Sequence, residues 1–219
     1  MLLRSIVRKI LGVRSFNSDD DQLRMVPNAF TIFDAGANVG QTARNYRRLY
    51  PQANIWSFEP APDSFRELEH CLPNKFTAMR LALSDRQGEA QLNIGDESYT
   101  NSLLVRGNHA GKTIDVATDT IDNICSSYDI SEIDILKIDV EGAETRVLNG
   151  AAQMLSRRAV KAVFIEVYFT PAYRDMPLFA ALDAKLKSSG FYLHGLYSLF
   201  RGHDERLSFG NALYLLDKG

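Results

Sequence analysis

From residue 30 onward, short β-type apolar runs alternate with amphipathic helical stretches, and no other feature of the chain narrows its fold so far. Strands joined through helices run parallel, because parallel neighbours need a crossover of a dozen or more residues. The runs fall at 30–33, 55–58, 79–83, 133–138 and 162–167. Most are apolar at both alternations, as expected of strands covered on both faces. Helices are expected over 41–49, 63–72, 144–155 and 178–186, with Pro51 closing the first and Gly190 the last. Two stretches break the rhythm. Residues 89–94 and 113–116 read as short strands around a polar loop at 95–112, whose length points to function or mobility. Residues 191–200 and 212–216 read as strands joined through 201–210 without a helix, so that pair should be antiparallel. The expected fold class is α/β, a mostly parallel sheet with helices on both faces.

A length of 219 residues, with 45% hydrophobic and 24% charged residues, suits one domain with a real core. A net charge of −2, without a basic stripe interleaved with aromatics, argues against a nucleic-acid partner. Cys71 and Cys125 lie far apart without metal-type spacing, so they read as reduced thiols of a cytoplasmic protein. No apolar run approaches the ~20 residues of a membrane span. At the N-terminus, Leu2, Leu3, Ile6, Val7, Ile10 and Leu11 recur at helical spacing, with Arg4, Arg8, Lys9 and Arg14 among them. The unbroken apolar stretch and cleavage site of a secretory signal are missing. The preferred reading is a helix packed on the domain or on a second subunit of a homodimer. The other is a basic helix lying on an anionic membrane surface. Asp19-Asp20-Asp21 reads as a polar linker, so residues 1–24 form an N-terminal amphipathic extension and 25–219 the main domain.

The first strand runs into Asp34-Ala35-Gly36-Ala37-Asn38-Val39-Gly40, after which a helix begins. Gly36 and Gly40 permit a tight turn and close backbone approach, leaving helix N–H groups facing a ligand. The pattern G-x-N-x-G is one residue shorter than G-x-G-x-x-G, so it fits a pyrophosphate fingerprint poorly. Glu59 ends the second strand 25 residues after Asp34, where an acid can accept hydrogen bonds from a ribose diol. Ser84 and Asp85 follow the third expected strand and could reach an adenine amine, with Leu83 on the ring. Together these strand ends outline an adenosine pocket at the topological switch point. A fourth cluster, Asp139, Glu141 and Glu144, follows the fourth strand, and Glu166 lies near the end of the next. Glu144 falls in a first helical turn, where the dipole favours an acid anyway.

The segments FDAGANVG, WSFEPAP, ALSDRQG, Thr120-Ile121-Asp122, ILKIDVEGAETRVLNGA and VFIEV span roughly residues 30–167. In order and spacing the chain resembles the FkbM family of S-adenosylmethionine-dependent methyltransferases, with KIDVEGAE the most specific element. The resemblance implies a Rossmann-like class I methyltransferase fold, with seven strands of which the last inserts antiparallel. It also implies O-methylation of hydroxyls on sugars, lipid-linked glycans or polyketide-type natural products. On this reading Asp34, Gly36, Ala37, Asn38, Gly40, Glu59, Ser84, Asp85 and Asp139 are the candidate cofactor-binding residues.

An alcohol is a poor nucleophile when neutral, so a base must take its proton as the methyl transfers. Asp139, Glu141 and Glu166 are the candidates, with His194 as an alternative from the strand at 191–200. Acids in the places of Asp139 and Glu166 could also hold Mg²⁺, a reading kept second to a metal-free site. Two rivals remain: a nucleotide-binding regulatory module without turnover, and a nicotinamide oxidoreductase, against which the short glycine loop argues. Acceptor contacts are expected from 95–112, 168–177 and 201–210. Tyr99, Asn101, Ser102, Asn108, His109, Tyr168 and Tyr173 are the polar and aromatic candidates for a glycan or small-molecule acceptor.

Overall fold

The computed structural model describes residues 17–95, 97–106 and 111–218. In chain order, α1 (Ser18–Met25) precedes β1 (Thr31–Ala35), α2 (Gln41–Leu49), β2 (Asn54–Phe58), α3 (Pro62–Leu68) and β3 (Phe76–Met79). The short strands β4 (Ala82–Leu83), β5 (Gly88–Asn93) and β6 (Thr113–Asp119) follow, then α4 (Ile121–Ser127), β7 (Ile133–Ile138) and α5 (Glu144–Asn149). The chain ends with α6 (Ala152–Ser156), β8 (Val160–Tyr168), α7 (Phe179–Ser188), β9 (Phe191–Arg201) and β10 (Leu207–Leu216).

Seven strands form one sheet in the order β3-β2-β1-β7-β8-β10-β9. The first five are parallel, and β10 inserts antiparallel between β8 and β9. Strand order reverses between β1 and β7, which opens a crevice at their carboxyl ends. Successive residues of β1 serve opposite faces, as a period of two demands. Ile32 packs with Tyr46, Tyr50 and Leu213 under α1 and α2, while Phe33 packs with Ile124, Val147 and Leu182 under α4 to α7. The start of β1 is pinned by buried Asp134, which accepts from Phe30 N (2.7 Å), Thr31 N (2.9 Å) and Lys161 Nζ (2.7 Å).

Three expectations are corrected. The strand expected over 79–83 is two strands, because the chain leaves the main sheet after Met79. β4 pairs with β6, and β6 with β5, in a separate three-stranded sheet. The helix expected over 144–155 breaks at Gly150, where an added Cβ would lie 2.0 Å from the Ser84 carbonyl oxygen. The Asp122 carboxylate then restarts it, accepting from Gln153 N (2.9 Å) and Met154 N (3.0 Å). Finally, Asp19-Asp20-Asp21 is no linker. It is the first turn of α1, capped by the Asn17 side chain, a place where the helix dipole favours acids. Asp21 is buried and accepts from Tyr197 Oη (2.6 Å), and Gln22 Oε1 accepts from Tyr46 Oη (3.0 Å), so α1 is docked on the sheet. The basic amphipathic stretch at 1–16 lies outside the described residues. Among those described, no helix is long and apolar enough to cross a membrane.

Candidate active site

The crevice is built by two loops in backbone contact. After β1 the chain turns at Gly36 (φ 75°), where a Cβ would sit 1.8 Å from the carbonyl oxygen of Asp139. Only glycine allows the loop after β1 to pass that close to the loop after β7. Gly40 (φ 85°) opens α2, and a Cβ there would meet Cys71 Sγ at 2.6 Å. Between them the loop is tied to β2: Gly36 N and Ala37 N donate to the Phe58 carbonyl (3.1 and 3.0 Å). Asn38 N donates to Glu59 Oε2 (2.9 Å), and Glu59 Oε1 accepts from Ala61 N (2.8 Å). Burial raises the Glu59 pKa against the lowering effect of these two amides.

Behind this loop lies a residue whose role escaped the sequence reading. Lys137 stands opposite Asp34 in the β1–β7 register, and both side chains are buried. Its Nζ is 3.0 Å from Asp34 Oδ1 and 3.6 Å from Asp139 Oδ2. It also donates to the carbonyls of Gly36 (3.0 Å) and Ala35 (3.4 Å). Burial alone would pull the ammonium pKa down, but Asp34 and Asp139 outweigh it and raise the pKa. A lone lysine inside an otherwise fully buried strand was the available signal, because such a charge needs a partner.

The loop and Glu59 face a cavity of about 260 Å³. Gly36, Ala37, Asn38 and Glu59 line one side, and Leu83, Lys137, Asp139 and Glu141 line others. The loop after β5 covers it with Ser98, Tyr99, Asn101, Ser102 and Leu103, so the expected acceptor segment does reach the site. Asn108 and His109 lie outside the described residues.

Asp139, Glu141 and Glu166 converge, with one carboxylate oxygen from each within 4.8 Å of the others. Glu141 adopts a positive φ (54°), a strained conformation for a non-glycine residue. Its surroundings hold it there: Ser102 Oγ donates to its carbonyl (2.6 Å), and Tyr168 Oη (2.9 Å) and Tyr173 Oη (2.6 Å) donate to its Oε2. Burial raises the Glu141 pKa, although both phenols lower it. Burial, and then the neighbouring Asp139 and Glu141, push the Glu166 pKa up, while the Tyr168 phenol lowers it. Glu144 is fully buried beside them, accepts from Gly142 N (2.9 Å), and is pushed up to about 7 by burial. Asp139, with a side chain 38% exposed, lines the cavity as Glu141 does, whereas Glu166 does not.

Three candidates fall elsewhere. Ser84 and Asp85 do not line the cavity, and neither do Asp34, Gly40 and Glu166, which belong to the loop and the acid cluster beside it. The switch from β3 into the small sheet leaves Ser84 N donating to the Asp119 carbonyl (2.8 Å) and its own carbonyl against Gly150. Leu83 and Ala82 do face the cavity. His194 is remote from it, because β9 is the far edge strand of the sheet and the imidazole meets α1. Its Nε2 lies 3.4 Å from Arg24 Nη2 and 3.9 Å from Asp21 Oδ2.

A sheet of this order, its penultimate position filled by an antiparallel strand and its glycine loop facing an acid at the end of β2, defines a class I S-adenosylmethionine-dependent methyltransferase. Residues 34–193 match the Methyltransferase FkbM domain, and the chain belongs to that family. It is 29% identical over 173 residues to the 2-O-methyltransferase NoeI of Sinorhizobium fredii, covering 69% of each chain. It is 27% identical over 173 residues to the hexuronic acid methyltransferase AglP of Haloferax volcanii, covering 74% of this chain and 67% of that one. In fold it is similar to the Burkholderia thailandensis 1,6-didemethyltoxoflavin-N1-methyltransferase solved with S-adenosylhomocysteine. There the TM-score is 0.51 at 11% identity, covering 91% of this chain and 76% of that one.

Proposed function

We propose that the enzyme methylates a hydroxyl group of a sugar, a glycan or a polyketide-type natural product, with Asp139 as the general base. The observation that carries this reading is the position of Asp139, on the cavity wall between the cofactor loop and the tyrosine-bound acids. The sulfonium methyl is already activated, so the protein's task is to hold an oxygen about 3 Å from it, in line with the leaving sulfur. A deprotonated carboxylate at Asp139 then takes the hydroxyl proton as the bond forms. Burial and the neighbouring Asp139 and Glu141 oppose ionisation of Glu166, which suits it less to that role, and Glu141 is occupied by two phenols. Gly36, Ala37 and Asn38 are assigned to the methionine end of the cofactor, with Asp34 and Gly40 shaping that loop and Glu59 binding the ribose hydroxyls. The 2-O designation of one relative supports an oxygen acceptor, and the hexuronic acid named for the other supports a sugar.

The oxygen-only set Asp139, Glu141 and Glu166 also fits a hard divalent cation such as Mg²⁺, which would polarise a hydroxyl. The metal-free reading is preferred, because Lys137 already supplies positive charge beside Asp139 and the phenols already engage Glu141. A radiolabelled methyl-transfer screen over nucleotide-sugars, lipid-linked glycans and small polyols tests both readings. Transfer to at least one hydroxyl acceptor, unchanged within two-fold after chelation, is the expected result. Tight cofactor binding with no acceptor across the panel would favour a regulatory module, and a loss restored by Mg²⁺ would favour the metal site.

Glu59→Ala is expected to weaken S-adenosylmethionine binding at least ten-fold by titration calorimetry. The substitution removes the ribose acceptor and also frees Asn38 N and Ala61 N, each free amide costing about 1–3 kcal/mol where water cannot reach it. Unchanged affinity would remove the ribose role.

A further inference from the structure

Beyond the wall made by Leu103 and the Glu141–Gly142 turn lies a second concavity, a groove of about 410 Å³. Leu103 lines both the groove and the cavity. Two arginines line this groove, half-buried Arg146 from α5 and exposed Arg174 from the segment after β8. Among the described residues, neither side chain forms an ion pair or a hydrogen bond, and Asp175 is the one acid of the lining. The backbone there is well tied, with Arg174 N donating to the Val105 carbonyl (2.9 Å) and Arg106 bridging to Tyr173. Arg106, next in the chain to the lining residue Val105, holds its guanidinium 5.8 Å above the Tyr173 ring.

The two concavities have opposite character. The cavity carries Asp139, Glu141 and Glu59 against Lys137, the one cation of its described lining, with Glu166 at the same cluster. Such a site repels an anion, so an acidic acceptor must hold its charge outside the transfer cavity. Unpaired guanidiniums suit that task, because their planar donors match carboxylate and phosphate bidentately. We propose that the Arg146–Arg174 groove is an anion subsite, holding a carboxylate or phosphate of the acceptor while a nearby hydroxyl reaches Asp139. This proposal rests on the hydroxyl-methylating reading above and specifies its acceptor as acidic.

The test uses the full chain saturated with S-adenosylhomocysteine and titrated with glucuronate, glucose 6-phosphate or methyl glucoside, followed by NMR. Saturable binding of at least one anionic probe, with methyl glucoside at least ten-fold weaker, is expected. The preferred probe then distinguishes a carboxylate from a phosphate. Arg146→Gln with Arg174→Gln should weaken anion binding at least ten-fold while S-adenosylmethionine affinity, measured alongside as a control for folding, stays unchanged. Equal binding of the neutral sugar, equal anion binding by the double variant, or no saturable anion binding would each overturn the proposal. The titration needs no turnover, so its failure leaves the methyltransferase reading standing. A chain that bound the anion yet methylated nothing would fail that reading alone.

Discussion

Asp139→Asn is expected to slow methyl transfer by about 10²–10⁴-fold, the range for loss of a positioned general base. The substitution keeps the side-chain shape and the backbone carbonyl that Gly36 packs against, so the two loops should still meet. S-Adenosylmethionine affinity should fall only a few-fold, because Asp139 is half-exposed and contributes one of several groups lining the cavity. Single-turnover rates with an acceptor from the screen, paired with calorimetry on the same variant, separate the two effects. A variant that transfers at the wild-type rate would move the base elsewhere. Glu141 would then be the next candidate, reached by Tyr168→Phe and Tyr173→Phe, which release its Oε2.

Lys137→Met should have the largest effect on the fold. Its ammonium lies between Asp34 and Asp139 and holds two carbonyls of the glycine loop. Methionine fills the volume but leaves the wholly buried Asp34 carboxylate without a cation, a loss of roughly 3–5 kcal/mol for a broken buried pair. Urea denaturation should show this loss, and cofactor binding should fall with it because the loop carbonyls are released. Adding Asp34→Asn to the variant should recover part of the stability, since removing both charges costs less than stranding one. A single variant within about 1 kcal/mol of wild type would show that this pair contributes little.

Much of the site was legible because strand ends in a doubly wound sheet are ligand positions whatever the acceptor. Asp34, Glu59, Asp139 and Glu166 could be placed by counting along the strands, and the register that brings Asp139 and Glu166 together follows from β7 pairing with β8. Ser84 and Asp85 lie off the cavity lining because the chain leaves the main sheet after Met79, a step that nothing in residues 79–83 marks and that depends on β6 being available for β4. His194 was misplaced for a related reason. An edge strand borders the ligand side only at its tip, and His194 lies away from that tip, against α1. The aspartates at 19–21 looked like a linker because their helical role requires the Asn17 cap and a phenol, Tyr197, 176 residues away.

The sequence by itself determined the alternating α/β order, the antiparallel C-terminal pair, the glycine loop and the acids that follow successive strands. These are local signals, set by periodicity, by turn chemistry and by the short motifs of one family. Only the tertiary structure gave those acids different surroundings. Asp139, Glu141 and Glu166 are the same chemical group in sequence, and their differences come from burial, from the phenols of Tyr168 and Tyr173, and from Lys137. Desolvation and cross-strand charge depend on what folds over a residue, and the phenols that engage Glu141 come from 27 and 32 residues further along the chain.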